Sequence, residues 1–166
     1  LTFILAKMER YGIKIADQQL EKYSQKLEKE INKISEKIIQ EAGEEFNINS
    51  PKQLQAILFE KLQLHKKTKG FKAKKTKTGY STDESVLQSL NEHSIASNLL
   101  IYREVNKLKT TYVDPLPKHI HPQTKRIHTK LNQMGTATGR LSSHDPNLQN
   151  IPIRTKKGQE IRKAFI

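Results

Sequence analysis

The chain has 166 residues, of which 34% are hydrophobic and only 6% aromatic, and it contains neither Trp nor Cys. This length allows one domain, or one domain with part of another, and the lack of cysteine excludes disulfides, thiolate metal sites and a cysteine nucleophile. The sequence contains no apolar stretch near the roughly 20 residues that cross a bilayer, so we expect a cytoplasmic protein without membrane spans.

The net charge of +13 is concentrated in the last two thirds of the chain. Residues 1–60 carry 9 basic and 10 acidic side chains, residues 61–102 carry 8 and 3, and residues 103–166 carry 13 and 4. A positive field attracts polyanions, and the basic segments lack the apolar face of a helix that lies on a membrane. The charge distribution therefore favours nucleic acid as the partner.

A long amphipathic helix is predicted near the start of the chain. From Asp17, apolar residues recur at spacings of three and four through Ile38, and Gly43 follows as a helix stop. The apolar stripe extends over only about three heptads. A coiled-coil interaction protein is therefore one alternative interpretation of this segment, and a helix packed within its own chain is the other.

A second helix is predicted to begin at a capping box. Ser50 stands at the N-cap, Pro51 at the first helical position and Gln53 at the third, and the helix is expected to run to about Leu62. The free N–H groups at such a helix start, with Asn and Ser donors beside them, would also suit a phosphate, although ordinary capping explains the pattern equally well.

Two more helices are predicted before residue 115. Ser81 or Thr82 is the expected cap of the first, and the apolar positions from Ile95 to Leu108 predict another that ends near Tyr112. On this last helix Arg103, Lys107 and Lys109 form a basic ridge that would suit a duplex backbone.

A lysine-rich loop separates the second and third predicted helices. No acidic residue occurs between Lys61 and Thr82, and the loop contains seven lysines around Gly70 and Gly79, namely Lys66, Lys67, Lys69, Lys72, Lys74, Lys75 and Lys77. Such a run is either a solvated linker or an element that follows a phosphate backbone. We expect it to be a mobile tip of about residues 64–81.

The predicted fold type changes near residue 115, where prolines stop helix formation. The segment Arg126–Met134 alternates like a half-buried strand, and Thr136–Ser143 is the expected returning strand. His144–Pro152 is predicted to be a loop and a short helix is expected before Phe165. The helices and strands together predict an α+β fold.

The spacing of the residues in this region argues against two kinds of site, a metal site and a hydrolytic triad. His119, His121 and His128 have no carboxylate or thiolate at supporting positions, so no metal site is predicted. Ser143, His144 and Asp145 contain the letters of a hydrolytic triad, but neighbouring residues in a chain do not normally reach the three separate positions that the triad needs.

The most unusual stretch of the chain concentrates long polar side chains around Arg140. Thr136–Ser143 reads TATGRLSS and Asp145–Pro152 reads DPNLQNIP. Arg offers a planar fork of donors, and Asn and Gln can donate to the minor-groove acceptors that every base pair presents. Contacts of this kind would check duplex geometry without reading sequence.

These two segments resemble the signature of the family A DNA polymerases, the bacterial DNA polymerase I group. Four further segments resemble the family in the same order along the chain: Met8–Ile13, Phe46–Glu60, Lys107–Tyr112 and Ile161–Phe165. The resemblance implies a thumb subdomain with long antiparallel helices over residues 1–114, followed by the first antiparallel strands of a palm subdomain over residues 115–166.

The resemblance also implies which residues meet DNA. Arg140 is expected to donate hydrogen bonds in the minor groove at the primer terminus, and Asn147, Gln149 and Asn150 are expected to contact the primer–template nearby. Positions in the helical part that match DNA-contacting positions of the family are Asn47, Asn49, Ser50, Ser81, Thr82, Arg103, Lys107 and Lys109.

The function implied by the resemblance is that of a monomeric DNA-directed DNA polymerase that binds double-stranded primer–template DNA and adds dNTPs with Mg²⁺. The family's metal-binding Asp residues and its fingers helix have no counterpart here, and the ends at Leu1 and Ile166 suggest a fragment. We therefore expect this chain alone to bind DNA without cofactor and without catalysis. The alternative is a stand-alone, non-catalytic nucleic-acid-binding module.

Overall fold

The computed structural model describes residues 1–71, 79–152 and 154–166, and the main chain of residues 75–76. The described residues divide into two compact units, one formed by residues 1–28 and 107–166 and the other by residues 29–106. This division follows spatial packing, and the thumb–palm boundary near residue 115 stays a prediction.

The first unit begins with helix α1 (Thr2–Tyr11), strand β1 (Ile13–Lys14) and the first part of helix α2 (Asp17–Ala42). Its later elements are the π-helical turn Lys109–Val113, a 3₁₀ turn (Leu116–His119), strands β4 (Arg126–Ile127), β5 (Lys130–Asn132) and β6 (Ser142–His144), and helix α7 (Lys156–Arg162). Strand β1 pairs antiparallel with β4, and β5 pairs antiparallel with β6.

The second unit continues α2 and adds helix α3 (Pro51–Gln55), which runs on as the π-helical turn Ala56–Lys61, and helix α4 (Leu64–Lys67). A short antiparallel pair, β2 (Lys75–Thr76) with β3 (Gly79–Tyr80), precedes helices α5 (Glu84–Ser89) and α6 (Ser94–Leu108). Helices with small antiparallel sheets confirm the predicted α+β class.

Helix α2 has the predicted bounds, and its apolar stripe is buried within the chain. Ile34 and Ile38 belong to the core of the second unit, together with Leu58, Leu90 and Leu99. Leu20 and Leu27, further towards the start of the helix, are also buried. A stripe that is already covered leaves no seam for a second chain, so the structure favours the interpretation of a helix packed within its own chain over the coiled coil.

The capping predictions are partly confirmed and partly wrong. Ser50 Oγ accepts from Gln53 N at 3.4 Å, as predicted, but the Gln53 side chain accepts from Asn47 N at 2.6 Å. The predicted cap of α5 is wrong, because Asp83 stands at the N-cap and Asp83 Oδ1 accepts from Val86 N at 3.0 Å. A carboxylate also suits a helix start better than a hydroxyl, since the helix dipole favours negative charge there.

The prediction of one strand over Arg126–Met134 is wrong. The segment forms β4 and β5, which pair with different partners and belong to different sheets. Between them, His128 Nδ1 lies 2.8 Å from Glu9 O, and Thr129 Oγ1 donates to His144 O and Pro146 O. These bonds hold His128 and Thr129, the two residues through which a single continuous strand would have to run. Only Ser142 and Ser143 of the predicted returning strand lie in β6.

Candidate nucleic-acid interface

The signature segment of the first unit is organised around the buried side chain of Ser143, which is 4% exposed. Ser143 Oγ accepts from Leu148 N at 3.1 Å and donates to Asn147 Oδ1 at 3.4 Å. Asn147 Oδ1 also accepts from Gln149 N at 3.0 Å, an Asx turn that reverses the chain after Pro146. The loop that carries the candidate DNA contacts is therefore fixed by its own hydrogen bonds.

Both ends of the Gln149 side-chain amide bond to the main chain of the strand region. Gln149 Nε2 donates to Leu141 O at 2.8 Å, and Gln149 Oε1 accepts from Ser143 N at 3.1 Å. These two bonds bridge the start of β6 and hold Leu141, the residue that follows Arg140. The structure thus gives Gln149 an internal bracing role, and its predicted contact with DNA stays a prediction.

Arg140 is exposed, and its guanidinium has no hydrogen bond or ion pair with any residue that the structure describes. Its main chain is held by Thr136 Oγ1, which donates to Arg140 O at 2.7 Å. Gly139, immediately before it, has a φ of 72° and allows the turn. A planar fork of donors is therefore presented to solvent from a fixed backbone.

Asn147 and Asn150 line a groove of about 340 Å³ together with Thr111 and His119. Both asparagines are exposed. Within the first unit this groove brings the signature segment to the π-helical turn that follows α6. Amide and hydroxyl groups thus stand together at one surface, as minor-groove or phosphate contacts require.

The two lysines near this turn differ in their surroundings. Lys107 is exposed and makes no ion pair within the described part of the chain. Lys109 Nζ lies 2.8 Å from Asp114 Oδ2, and Ser24 Oγ donates to Asp114 Oδ1 at 2.7 Å. Burial alone would raise the pKa of Asp114, but the hydrogen bonds from Lys109 and Ser24 hold it below the usual value. Lys109 is therefore part of an internal ion pair.

In the second unit, the predicted contacts Asn47, Asn49 and Ser50 form the turn before α3. Asn47 Oδ1 accepts from Asn49 N at 2.9 Å, and Asn49 Nδ2 donates to Tyr102 Oη at 3.0 Å. Asn47 and Asn49 are exposed, whereas Ser50 is partly buried and its side chain caps α3. The turn is thereby attached to α6.

A second turn bonds to the next residue of α6. Arg103 Nη1 donates to Thr82 O at 2.5 Å, and Ser81 Oγ accepts from Asp83 N at 3.1 Å. Burial lowers the pKa of the Arg103 guanidinium, while the charges of Asp83 and Glu84 act in the opposite direction. Thr82 is buried, so its side chain does not reach the surface of this unit.

The lysine-rich loop is described only in part. Lys66, Lys67 and Lys69 are exposed, whereas Lys72, Lys74 and Lys77 and the side chain of Lys75 lie outside the described residues. The described ends of the loop are joined by an aromatic cluster around Phe59, whose ring centroid lies 4.8 Å from that of Tyr80 and 6.1 Å from that of Phe71. The expected mobile tip and its DNA contact stay predictions.

No group of three or more His, Asp or Glu side chains suited to a metal ion occurs in the part of the chain that the structure describes. His128 contacts Glu9 O and, through Nε2, Thr124 Oγ1 at 2.7 Å. Among the described residues there is also no helix long and apolar enough to span a membrane.

The sequence patterns assigned no role in the signature loop to Ser143 and Thr129, two buried polar residues whose hydroxyls bond to it. Asn147 followed two positions later by Gln149 is a local signal for an Asx turn, and could have indicated that Asn147 folds back on its own chain. No local signal marks Thr129, because its acceptors are 15 and 17 residues away.

Known proteins resemble this chain over nearly its whole length. It is 48% identical over its full length to DNA polymerase I of Geobacillus stearothermophilus and 51% identical over 98% of its length to DNA polymerase I of Synechocystis. It covers 18% and 16% of those two proteins, so it spans less than a fifth of either.

A solved structure resembles the fold. It is the POL domain of Pol1 from M. smegmatis in complex with DNA primer-template and dNTP, with 45% identity and a TM-score of 0.85 over 98% of this chain and 28% of that one. The sequence model described as DNA polymerase family A matches residues 17–166. With this match over most of its length, the chain belongs to family A of the DNA polymerases.

Proposed function

We propose that this chain binds the duplex of a primer–template as the thumb and the first part of the palm of a DNA-directed DNA polymerase. The whole protein then adds dNTPs to the primer with Mg²⁺, acting as a monomer. The observation that carries the proposal is Arg140, an exposed guanidinium that pairs with no described residue, on a loop whose backbone is fixed by Thr136 and Gln149.

The chemistry of the exposed groups suits the minor groove of a duplex. Arg140, Asn147 and Asn150 can all donate, and the minor groove presents an N3 or O2 acceptor at every base pair. A surface made of donors therefore accepts any sequence that keeps duplex geometry. The solved relative with 45% identity is a complex with DNA primer-template and dNTP, which supports the same assignment.

Lys107 adds a charge for the phosphate backbone, since it is exposed and unpaired within the described residues. Each phosphate neutralised by a cation releases counterions and makes binding salt-dependent. The turns at Asn47 and Asn49 and at Ser81 are proposed as further backbone contacts of the thumb, and Arg103 as the residue that holds the second turn in place through Thr82 O.

The proposal is tested with Arg140→Ala in the whole protein. A contact that positions the primer terminus acts mainly in the transition state, so primer extension should slow by about tenfold or more while duplex affinity falls by less than about threefold. The control is Arg154→Ala, which removes another exposed arginine of the same unit. An unchanged kcat with Arg140→Ala would refute the role, and a wild-type protein without duplex affinity would refute the function itself.

A further inference from the structure

The side-chain amide of Asn147 is held in one orientation. Its oxygen faces two donors, the main-chain N–H of Gln149 at 3.0 Å and the hydroxyl of Ser143 at 3.4 Å. A main-chain N–H can only donate, so the atom that faces it must be the carbonyl oxygen of the amide. The NH₂ group of Asn147 is consequently the end left for an outside partner.

The hydroxyl of Ser143 has its own orientation fixed. Ser143 Oγ accepts from Leu148 N at 3.1 Å, so its proton remains available to point towards Asn147. The residue itself is 4% exposed, and its main-chain N–H donates to Gln149 Oε1 at 3.1 Å. A buried hydroxyl that is both acceptor and donor defines the direction of its proton, because a hydroxyl has only one to give.

The outward NH₂ group of Asn147 makes no hydrogen bond to any described residue, and Asn147 is exposed on the groove that it shares with Asn150. The N3 and O2 atoms of the minor groove are acceptors, so the amide gains a hydrogen bond with them only when it is turned this way, whereas the reversed amide would set its oxygen against oxygen or nitrogen. The orientation of Asn147 thus determines whether it binds or repels a duplex.

We propose that Ser143 is a positioning residue that fixes Asn147 as a hydrogen-bond donor to minor-groove acceptors beside the primer terminus. This inference rests on the proposed function. Ser143 does not touch DNA and acts through the amide of Asn147. A general structural role would not change how the protein distinguishes a duplex with the N3 acceptor from one without it, so loss of this discrimination in Ser143→Ala is the distinguishing prediction.

The test compares Asn147→Asp, Asn147→Ala and Ser143→Ala in the whole protein. Asn147→Asp keeps an acceptor for both inner donors and replaces the outward NH₂ by a carboxylate oxygen, so duplex affinity should fall at least about tenfold below that of Asn147→Ala. Affinity is measured by fluorescence anisotropy with a labelled primer–template. Circular dichroism checks that each variant is folded.

A second duplex carries 3-deazapurines near the primer terminus, which lack the N3 acceptor. The wild type should lose about five- to tenfold in affinity for this duplex, a factor typical of one hydrogen bond. Asn147→Ala should show a smaller loss than the wild type, because only the donors of Arg140 and Asn150 remain to meet the missing acceptors. Ser143→Ala should lose part of the discrimination although it retains Asn147, because the main-chain N–H of Gln149 still holds the amide oxygen. The double variant should behave like Asn147→Ala.

The outcomes separate the two proposals. Absence of duplex binding by the wild type overturns the proposed function. Normal wild-type binding, combined with equal affinities for Asn147→Asp and Asn147→Ala or with full discrimination in Ser143→Ala, overturns the positioning role and leaves the function standing. If Ser143→Ala does not fold, Ser143→Cys, which keeps a side chain of similar size with only a weak donor, replaces it in the same comparison of the two duplexes.

Discussion

Replacing Asp114 by Asn should reveal how much the half-buried ion pair of the first unit stabilises the fold. Asp114 accepts from Lys109 at 2.8 Å and from Ser24 at 2.7 Å, and the Lys109 and Asp114 side chains are 17% and 35% exposed. Asparagine keeps an acceptor for Ser24 but loses the charge opposite Lys109. The substitution therefore tests the charged half of the network alone.

The expected loss is about 1–2 kcal/mol of unfolding free energy at pH 7. A hydrogen bond to a charged group contributes roughly 1.5–3 kcal/mol when it is buried, and solvent screening reduces this value for a carboxylate that is about a third exposed. The exposed pair Glu160–Lys163 of the same unit is the control. Because that pair is screened by water, Glu160→Gln should leave stability unchanged.

The pH dependence has a definite sign. The pKa of Asp114 is lower in the folded chain than its ordinary value, because the bonds from Lys109 and Ser24 outweigh the effect of burial. A depressed folded pKa gives stability that is present above the unfolded pKa of about 3.9 and is lost as the pH falls through the folded value. The difference between wild type and Asp114→Asn should thus be constant from pH 7 to about 5 and shrink below about 4.

Urea denaturation followed by circular dichroism, repeated from pH 7 to pH 3, measures this difference. Two results would refute the reasoning. One is equal stability of Asp114→Asn and wild type at pH 7. The other is a difference that stays the same at low pH, which would mean that the substitution acts through packing and not through the charge.

Two further comparisons use matched pairs. Lys107→Ala should reduce the slope of log affinity for duplex against log salt concentration by about one unit and leave stability unchanged. Lys109→Ala should lower stability and change this slope less. Equal effects of the two substitutions on the slope would contradict the assignment. Gly12 and Gly139 both have positive φ values, of 67° and 72°. A Cβ added at Gly12 would lie 2.8 Å from His128 Nδ1, whereas a Cβ added at Gly139 would meet no such atom. Thermal unfolding should show that Gly12→Ala loses about 1–3 kcal/mol more stability than Gly139→Ala. Equal losses of stability would show that backbone strain alone, and not the contact with His128, determines the effect.

The helices of this chain could be predicted because their signals are local. Asp17 and Gly43 mark the ends of α2, and Ser50 with Pro51 marks the start of α3. Strand β1 was harder, since it pairs with a distant segment: Ile13 pairs with Ile127, and the neighbouring Ile15 bridges to Phe165. A strand of two residues gives no alternation to detect, and only the tertiary fold determines its partner.

The candidate site shows the same limit at the level of single side chains. The sequence placed four residues in one motif and predicted the same role, contact with DNA, for all of them, namely Arg140, Asn147, Gln149 and Asn150. The structure separates them, because Gln149 bonds to Leu141 O and Ser143 N while Arg140 remains unpaired among the described residues. Side chains of similar chemistry in one motif can therefore face opposite directions, and only the acceptors within reach decide which.

This separation provides a general criterion for the polar residues of the interface. A polar group that bonds within the chain contributes to folding, by about 0.5–1.5 kcal/mol for a typical hydrogen bond. Gln149 is exposed, but its amide bonds to Leu141 O and Ser143 N, so its replacement should impair stability and DNA binding together. An outward group such as that of Arg140 carries no folding obligation, so its replacement should impair binding or catalysis alone. Asn147 belongs to both classes, since its oxygen bonds within the loop and its NH₂ faces outward, and this is why its orientation is the most informative property of the site to measure.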